Sequence, residues 1–106
     1  MTSDTNGTWT FLTNHARVLS LIAQSPGIRL RDIADSIGIT ERAAQRIVAE
    51  LEASGYLSHD KEGRRNRYHL QPHAHLRHPL ERDIEIGELL DLFIHRPSTG
   101  EPAGNA

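Results

Sequence analysis

Residues 30–47 have the sequence LRDIADSIGITERAAQRI, in which apolar residues recur at helical spacing on both sides of a glycine. Ala34 is small at the point where two steeply crossing helices must touch, and Gly38 tolerates the positive φ of a tight turn. Ile39 is predicted to fill the turn, and Ala44 and Ile47 of the second helix are predicted to pack against the first helix. The spacing predicts two short helices joined by a tight turn. An ordinary helical hairpin with a glycine turn is the alternative.

The second of these helices has a polar outer side with few acids. Its outward positions near the N-terminus are Thr40, Glu41, Arg42, Gln45 and Arg46. A helix that enters the major groove of DNA needs polar side chains at this end, and Arg and Gln can bond guanine and adenine through two hydrogen bonds each. Glu41 is the one acid between Thr40 and Ala49, and it also suits the positive end of the helix dipole. We therefore predict a base-reading helix; a merely solvated helix face is the alternative.

A β-hairpin is predicted after this helix, which runs to about Ala53 and is broken by Gly55. Residues 56–60 and 66–70 have extended patterns, and the polar connection 61–65 contains a glycine. Positive charge is concentrated at the tip, where the predicted DNA-binding residues are Arg64, Arg65 and Arg67 together with the neutral Asn66. Such a loop can reach a flanking phosphate or a narrow minor groove. The alternative is a turn that only improves solubility.

The rest of the chain completes a single small domain. Residues 1–8 are polar and predicted to be disordered, and residues 96–106 have the composition of a linker. A helix capped by Thr13 or Asn14 ends at residues 25–27, a short strand is predicted at residues 28–30, and a last helix at residues 80–94. The predicted fold is mainly α with a small β-hairpin, over residues 9–95, in the order helix, strand, helix, helix, hairpin, helix.

The net charge of −2 conceals two regions of opposite sign. Residues 61–80 contain five Lys and Arg with a single acid, whereas residues 81–106 contain two Arg with six Asp and Glu. A binder of nucleic acid gains much of its affinity by neutralising phosphates. The distribution therefore allows a basic DNA-binding surface on an acidic protein.

Residues 29–70 resemble the winged helix-turn-helix of transcriptional regulators of the MarR and ArsR type. The resemblance rests on LRDIA (30–34), GIT (38–40), LEASGYL (51–57) and GRRNRYHL (63–70). It implies a recognition helix in the major groove, a wing on the flank of the site, and dimers joined through the terminal helices. ArsR-type metal sensors usually carry a cysteine motif, and this chain has no cysteine. MarR-type proteins usually have longer terminal helices around a ligand pocket, so a small-molecule effector is left open.

The predicted last helix has more apolar positions than one stripe can hold. One stripe can cover the domain, and a symmetric partner would cover the rest. The predicted interface of this homodimer contains Trp9, Phe11, Ile84, Ile86, Leu89, Leu90 and Phe93. Two recognition helices would then face half-sites about 34 Å apart. A helix fully buried within one domain is the alternative.

Seven histidines raise the question of a metal site, above all His69, His73, His75 and His78. Their spacing, within a segment that contains prolines, is not that of a structural zinc site, so we predict surface histidines and neither metal nor cofactor. No nucleophile elbow, phosphate-binding glycine loop or HExxH motif is present. We therefore do not expect an enzyme.

The predicted function is sequence-specific binding of double-stranded DNA by a dimeric transcriptional regulator that acts as a repressor. A winged helix that binds another protein instead of DNA is the alternative; the retained arginines argue against it. With no apolar run long enough for a membrane span and no export signal, we expect a soluble, cytoplasmic protein without contact to a membrane.

Overall fold

The computed structural model describes residues 9–95, which form four helices and one β-hairpin. The helices are α1 (Asn14–Gln24), α2 (Leu30–Ile37), α3 (Glu41–Ala53) and α4 (Ile86–Ile94), and the hairpin consists of β1 (Leu57–Glu62) and β2 (Arg65–Leu70). This confirms the predicted fold class, a mainly α winged helix-turn-helix. The predictions for residues 1–8 and 96–106 lie outside the described residues. No helix in the described part of the chain is long and apolar enough to cross a membrane.

The helix boundaries follow from local chemistry. Thr13 Oγ1 accepts a hydrogen bond from the amide of Ala16 at the start of α1, and Thr40 Oγ1 accepts one from Ala43 at the start of α3. Gly38 ends α2 with φ of 89°, a left-handed conformation that costs a residue with a side chain about 1 kcal/mol or more. These features agree with the sequence pattern.

One continuous apolar core joins the three N-terminal helices, the hairpin and α4. Its buried members are Val18, Leu19, Ile22, Ile33, Ala34, Ala44, Ile47, Val48, Leu51, Tyr56, Leu57, Tyr68, Ile86 and Leu90. The alanines Ala34 and Ala44 are buried on the facing helices α2 and α3, where small side chains permit close approach. The face of α3 opposite this core is thereby held toward solvent.

The strand predicted at residues 28–30 is not formed. Leu30 is already the first residue of α2, and the amide of Ile28 is used in a turn, where it donates to the carbonyl of Ser25 at 3.0 Å. The amide of Tyr68 in β2 donates to the carbonyl of Pro26 at 3.0 Å. The segment therefore lies along β2, but the turn leaves too little extended backbone for a third strand.

The last helix begins at Ile86, six residues later than the predicted start at residue 80. An antiparallel bridge between His75 and Glu85 occupies the backbone that the prediction made helical. In this bridge the amide of Leu76 donates to the carbonyl of Ile84 at 3.0 Å. Residues 78–84 form turns between the two sides of the bridge. Long-range backbone pairing therefore replaces the first turns of the expected helix.

The backbone of the preceding segment caps the start of α4. The amide of Ile86 donates to the carbonyl of Ala74 at 2.7 Å, and the amide of Gly87 donates to the carbonyl of Pro72 at 2.9 Å. A Cβ atom at Gly87 would lie 2.9 Å from both Pro72 Cβ and the Pro72 carbonyl oxygen. Glycine is required here by close packing against backbone, which cannot move aside as a flexible side chain can.

We expect Gly87→Ala to destabilise the protein by about 1–3 kcal/mol, because overpacking against Pro72 outweighs the higher helix propensity of alanine. Urea unfolding followed by circular dichroism measures this change. Glu88→Ala, at the neighbouring exposed position, is the control and should change stability by no more than about 0.5 kcal/mol. Equal stability of the two variants would contradict the packing argument.

Tyr56 connects the end of α3 to the segment before α4. Its side chain is 7% exposed, and its hydroxyl donates to the carbonyl of His75 at 2.7 Å. Burial raises the pKa of this hydroxyl above its ordinary value of 10.0, while the nearby charge of Arg77 acts in the opposite direction. The folded state thus favours the neutral tyrosine, and this contribution to stability is full below about pH 10 and is lost as the pH rises through the raised pKa.

We expect Tyr56→Phe to lower the free energy of unfolding by about 1–2 kcal/mol at neutral pH, because the carbonyl of His75 loses its hydrogen-bond donor. The variant should also lose less stability than the wild type above about pH 10. Urea unfolding of both proteins between about pH 7 and about pH 11 measures both effects. Parallel curves over this range would show that Tyr56 ionises equally in the folded and unfolded states.

Candidate nucleic-acid interface

The outer face of α3 presents the predicted base-reading residues to solvent. Thr40, Glu41, Arg42, Gln45 and Arg46 are all exposed, whereas Ala44, Ile47, Val48 and Leu51 on the opposite side are buried. Arg42 and Arg46 stand four residues apart and so lie one turn above the other. The helix therefore offers two guanidinium groups and one amide on a single face, supported from behind by packed apolar side chains.

Glu41 at the start of this face is oriented toward α2. Its Oε2 lies 3.8 Å from Nε of Arg31, and both side chains are exposed. Such a surface pair contributes between zero and about 1 kcal/mol. Glu41 also occupies the first turn of α3, where a carboxylate complements the helix dipole. These contacts favour a structural role for Glu41 over a role in reading bases.

The hairpin is longer and more sharply turned than the sequence predicted. Glu62 pairs directly with Arg65, so only Gly63 and Arg64 form the turn. Gly63 has φ of 68°, which a tight two-residue hairpin turn requires. Arg64 is the exposed tip, whereas Arg65 and Arg67 belong to β2.

Arg65 and Arg67 face the connection between α1 and α2. The guanidinium of Arg65 donates to the carbonyl of Gly27. A Cβ atom at Gly27 would lie 3.8 Å from Arg67 Nη1 and 3.9 Å from Arg65 Nη2. Both side chains are nevertheless exposed. The structure thus brings their charges next to the N-terminal end of α2, which the sequence pattern did not reveal.

Asn66 is different from the other predicted wing residues. It is half-buried, and its Nδ2 lies 3.4 Å from the hydroxyl of Tyr68. Its Oδ1 is buried and has no hydrogen-bond partner within residues 9–95. This side chain is therefore turned into the hairpin rather than toward its exposed tip.

The candidate dimer residues separate into three groups. Ile86 and Leu90 are 6% and 1% exposed and belong to the domain's own core, so their assignment to a dimer surface was wrong. Ile84, Leu89 and Phe93 are half-buried, and the last two pack against the core. Trp9 and Phe11 are exposed and contact each other edge to face, with ring centroids 5.1 Å apart.

The physical reason for this correction is the short length of α4. A helix that begins at Ile86 must use its Ile86 and Leu90 stripe to cover the core, since it has no earlier turns to do so. The interface predicted from the sequence did not include Leu80, Leu92 and Ile94, which are the other exposed large apolar residues of the described chain. The helical period of the sequence could have predicted the exposure of Leu92, because Leu92 lies off the apolar stripe formed by Ile86, Leu90 and Phe93.

The histidines mostly pair with single carboxylates or backbone carbonyls. Four of these pairs are close: His15 with Glu50 at 2.6 Å, His59 with Glu52 at 2.5 Å, His69 with Asp60 at 2.9 Å, and His73 with Glu85 at 2.8 Å. His75 Nδ1 donates to the carbonyl of Arg82 at 2.6 Å, and His78 Nδ1 accepts from the amide of Leu80 at 3.0 Å. Within residues 9–95, no three His, Cys, Asp or Glu side chains are grouped closely enough to hold a metal ion.

Comparison with known proteins agrees with this geometry. The sequence model of the MarR family matches residues 10–65, which include α1, the helix-turn-helix, β1 and the tip of the wing. The match does not extend to the ArsR type. No curated protein matches the chain. Since the matched residues make up more than half of the sequence, the chain belongs to the MarR family of DNA-binding transcriptional regulators.

Proposed function

We propose that the protein binds double-stranded DNA sequence-specifically as a homodimer and represses transcription by occluding a promoter. The observation that carries this proposal is the exposed face of α3, where Arg42, Gln45 and Arg46 project from a helix fixed by buried side chains. Rigid support matters because direct readout requires side chains held within hydrogen-bonding distance of base edges.

The residues divide into base-reading and backbone-holding groups. Arg42, Gln45 and Arg46 read bases in the major groove. Thr40 holds a phosphate, because its oxygen accepts the capping bond from Ala43 while its hydroxyl proton is still available to donate. The wing residues Arg64, Arg65 and Arg67 neutralise the flanking backbone, and Asn66 positions the hairpin from within.

The charge distribution supports the same arrangement. The acids of the C-terminal part, Glu81, Asp83, Glu85, Glu88 and Asp91, all lie outside α3 and the wing. Five of the described Lys and Arg, by contrast, lie on the outer face of α3 or in the wing turn and β2: Arg42, Arg46, Arg64, Arg65 and Arg67. These five basic side chains are thus grouped where phosphates would approach, despite a net charge of −2.

We expect the wild-type protein to bind a random-sequence 30-mer duplex with an affinity that falls steeply with salt, because bound phosphates release counterions. Fluorescence anisotropy titrations at several salt concentrations measure this. The quadruple variant Arg42→Ala, Arg46→Ala, Arg64→Ala, Arg65→Ala should abolish binding, with Arg77→Ala as a control outside the interface. Absence of wild-type binding at low salt would overturn the proposal and favour a protein partner.

The division of roles is tested once a preferred sequence has been selected. Arg46→Ala should weaken the free energy of binding to that sequence by about 1–3 kcal/mol and relax specificity at one base pair. The double variant Arg64→Ala, Arg67→Ala should weaken binding to all sequences alike. It should also reduce the salt slope, which is the slope of the logarithm of the binding constant against the logarithm of the salt concentration, by about two at most. Altered specificity in the wing variant, with an unchanged salt slope, would contradict this division.

The exposed apolar residues support a homodimer. Leu92 and Ile94 on α4 are 68% and 39% exposed, and Trp9 and Phe11 are exposed before α1, which packs against α4. Exposed apolar side chains thus occur at the beginning and at the end of the described chain, on or next to two helices that pack together. A two-fold symmetric interface with a second copy would bury them. The two recognition helices would then meet half-sites about 34 Å apart.

We expect Leu92→Glu to shift the protein from dimer to monomer, because it places a charge in the apolar interface. Sedimentation velocity over a range of protein concentrations measures the change. Ala53→Glu is the control, since Ala53 is exposed at the end of α3 and away from α4. A monomeric wild type, or a Leu92→Glu dimer as stable as the control, would contradict the proposed interface.

A further inference from the structure

A basic cleft lies between the start of α2 and the wing. Its volume is about 240 Å³, and four cationic residues line it: Arg29 before α2, Lys61 in β1, Arg64 at the turn and Arg65 in β2. The wall of the cleft is completed by apolar side chains and by Asn66. Neither Arg29 nor Lys61 was assigned to the interface predicted from the sequence. Arg29 is distant in sequence from the wing, and Lys61 lies at the start of the predicted hairpin connection 61–65.

All the charged residues that line this cleft are cationic, although Lys61 also borders a second groove together with Asp60 and Glu62. No carboxylate lines it, and none of the four cationic side chains forms an ion pair within residues 9–95. Glu62 pairs with Arg65 across the backbone ladder and Asp32 lies in the first turn of α2, but neither borders the cleft. Four like charges around one small volume repel one another, so an anion bound there would lower the electrostatic energy.

The shape and location of the cleft limit the anion that it fits. Guanidinium and ammonium groups converging from three chain segments suit a phosphate, which offers several acceptor oxygens and to which Arg can donate two hydrogen bonds at once. The nearby start of α2, which has no side-chain cap, adds the positive end of a helix dipole. The cleft is continuous with the wing, because Arg64 and Arg65 belong to both.

We infer that this cleft binds a phosphate group, and that in the DNA complex this group is a backbone phosphate of the duplex flanking the base-reading helix. The inference rests on the proposed function and adds Arg29 and Lys61 to the DNA-binding surface. It gives the wing a defined role: Arg65, held by the carbonyl of Gly27, closes the cleft against the loop before α2. The wing and the start of α2 then contact the same phosphate, and therefore the same DNA strand.

The double variant Arg29→Ala, Lys61→Ala tests the inference, and Arg77→Ala, Arg82→Ala is a control with the same change in charge. All four residues are exposed, and circular dichroism melting verifies that both variants fold. In anisotropy titrations with the 30-mer duplex, we expect the cleft variant to lose roughly ten-fold in affinity on every sequence and up to about two from the salt slope. The control should lose much less of both.

Inorganic phosphate distinguishes a free anion from the DNA backbone. In the wild type, phosphate should shift the NMR signals of the Gly27, Arg29 and Gly63 amides more than chloride at equal ionic strength, and the cleft variant should lose this response. If the wild type binds DNA but the cleft variant binds it equally well, the inference is overturned and the proposed function stands. If the wild type binds no DNA, both the proposed function and the assignment to a backbone phosphate are overturned.

Discussion

The carbonyl oxygen of Ala34 accepts hydrogen bonds from two consecutive amides, those of Gly38 at 2.8 Å and Ile39 at 3.0 Å. This pair of bonds ends α2 and sets the direction in which the chain leaves it. It requires a left-handed residue at Gly38 and small side chains where the helices cross, which Ala34 and Ala44 provide. The angle of α3 to the rest of the domain depends on this turn, and the direction of the proposed base-reading face depends on that angle.

A second set of contacts attaches the wing to the helices. The amide of Tyr56 donates to the carbonyl of Leu51 at 3.0 Å as α3 ends, and Tyr68 in β2 is tied to Pro26 in the loop before α2. Both tyrosines are buried in the shared core. The hairpin is thus attached to the same core that supports α3, which fixes the position of the wing relative to the proposed base-reading face.

The C-terminal segment contributes in a different way. The carbonyls of Pro72 and Ala74 cap α4, and the hydroxyl of Tyr56 holds the backbone at His75. This arrangement places Ile86 and Leu90 over α1 and leaves Leu92 and Ile94 toward solvent. The acidic and apolar residues of this segment therefore lie outside α3 and the wing, and Leu92 and Ile94 belong to the surface that we propose for contact with a second copy of the chain.

Local chemistry in the sequence determined the helix-turn-helix, the hairpin and the identity of the outward residues of α3, because caps, glycines and the helical period act over only a few residues. Only the tertiary structure decided the rest. The strand expected at residues 28–30 gave way to a turn, and the helix expected from residue 80 gave way to a bridge between His75 and Glu85. Ile86 and Leu90, which were predicted to lie at a dimer surface, are buried in the core. Arg29 and Lys61, which are 32 residues apart in the chain, line the same cleft. Each of these outcomes depends on contacts between segments far apart in the chain, which compete with local preference and leave no periodic signal in the sequence.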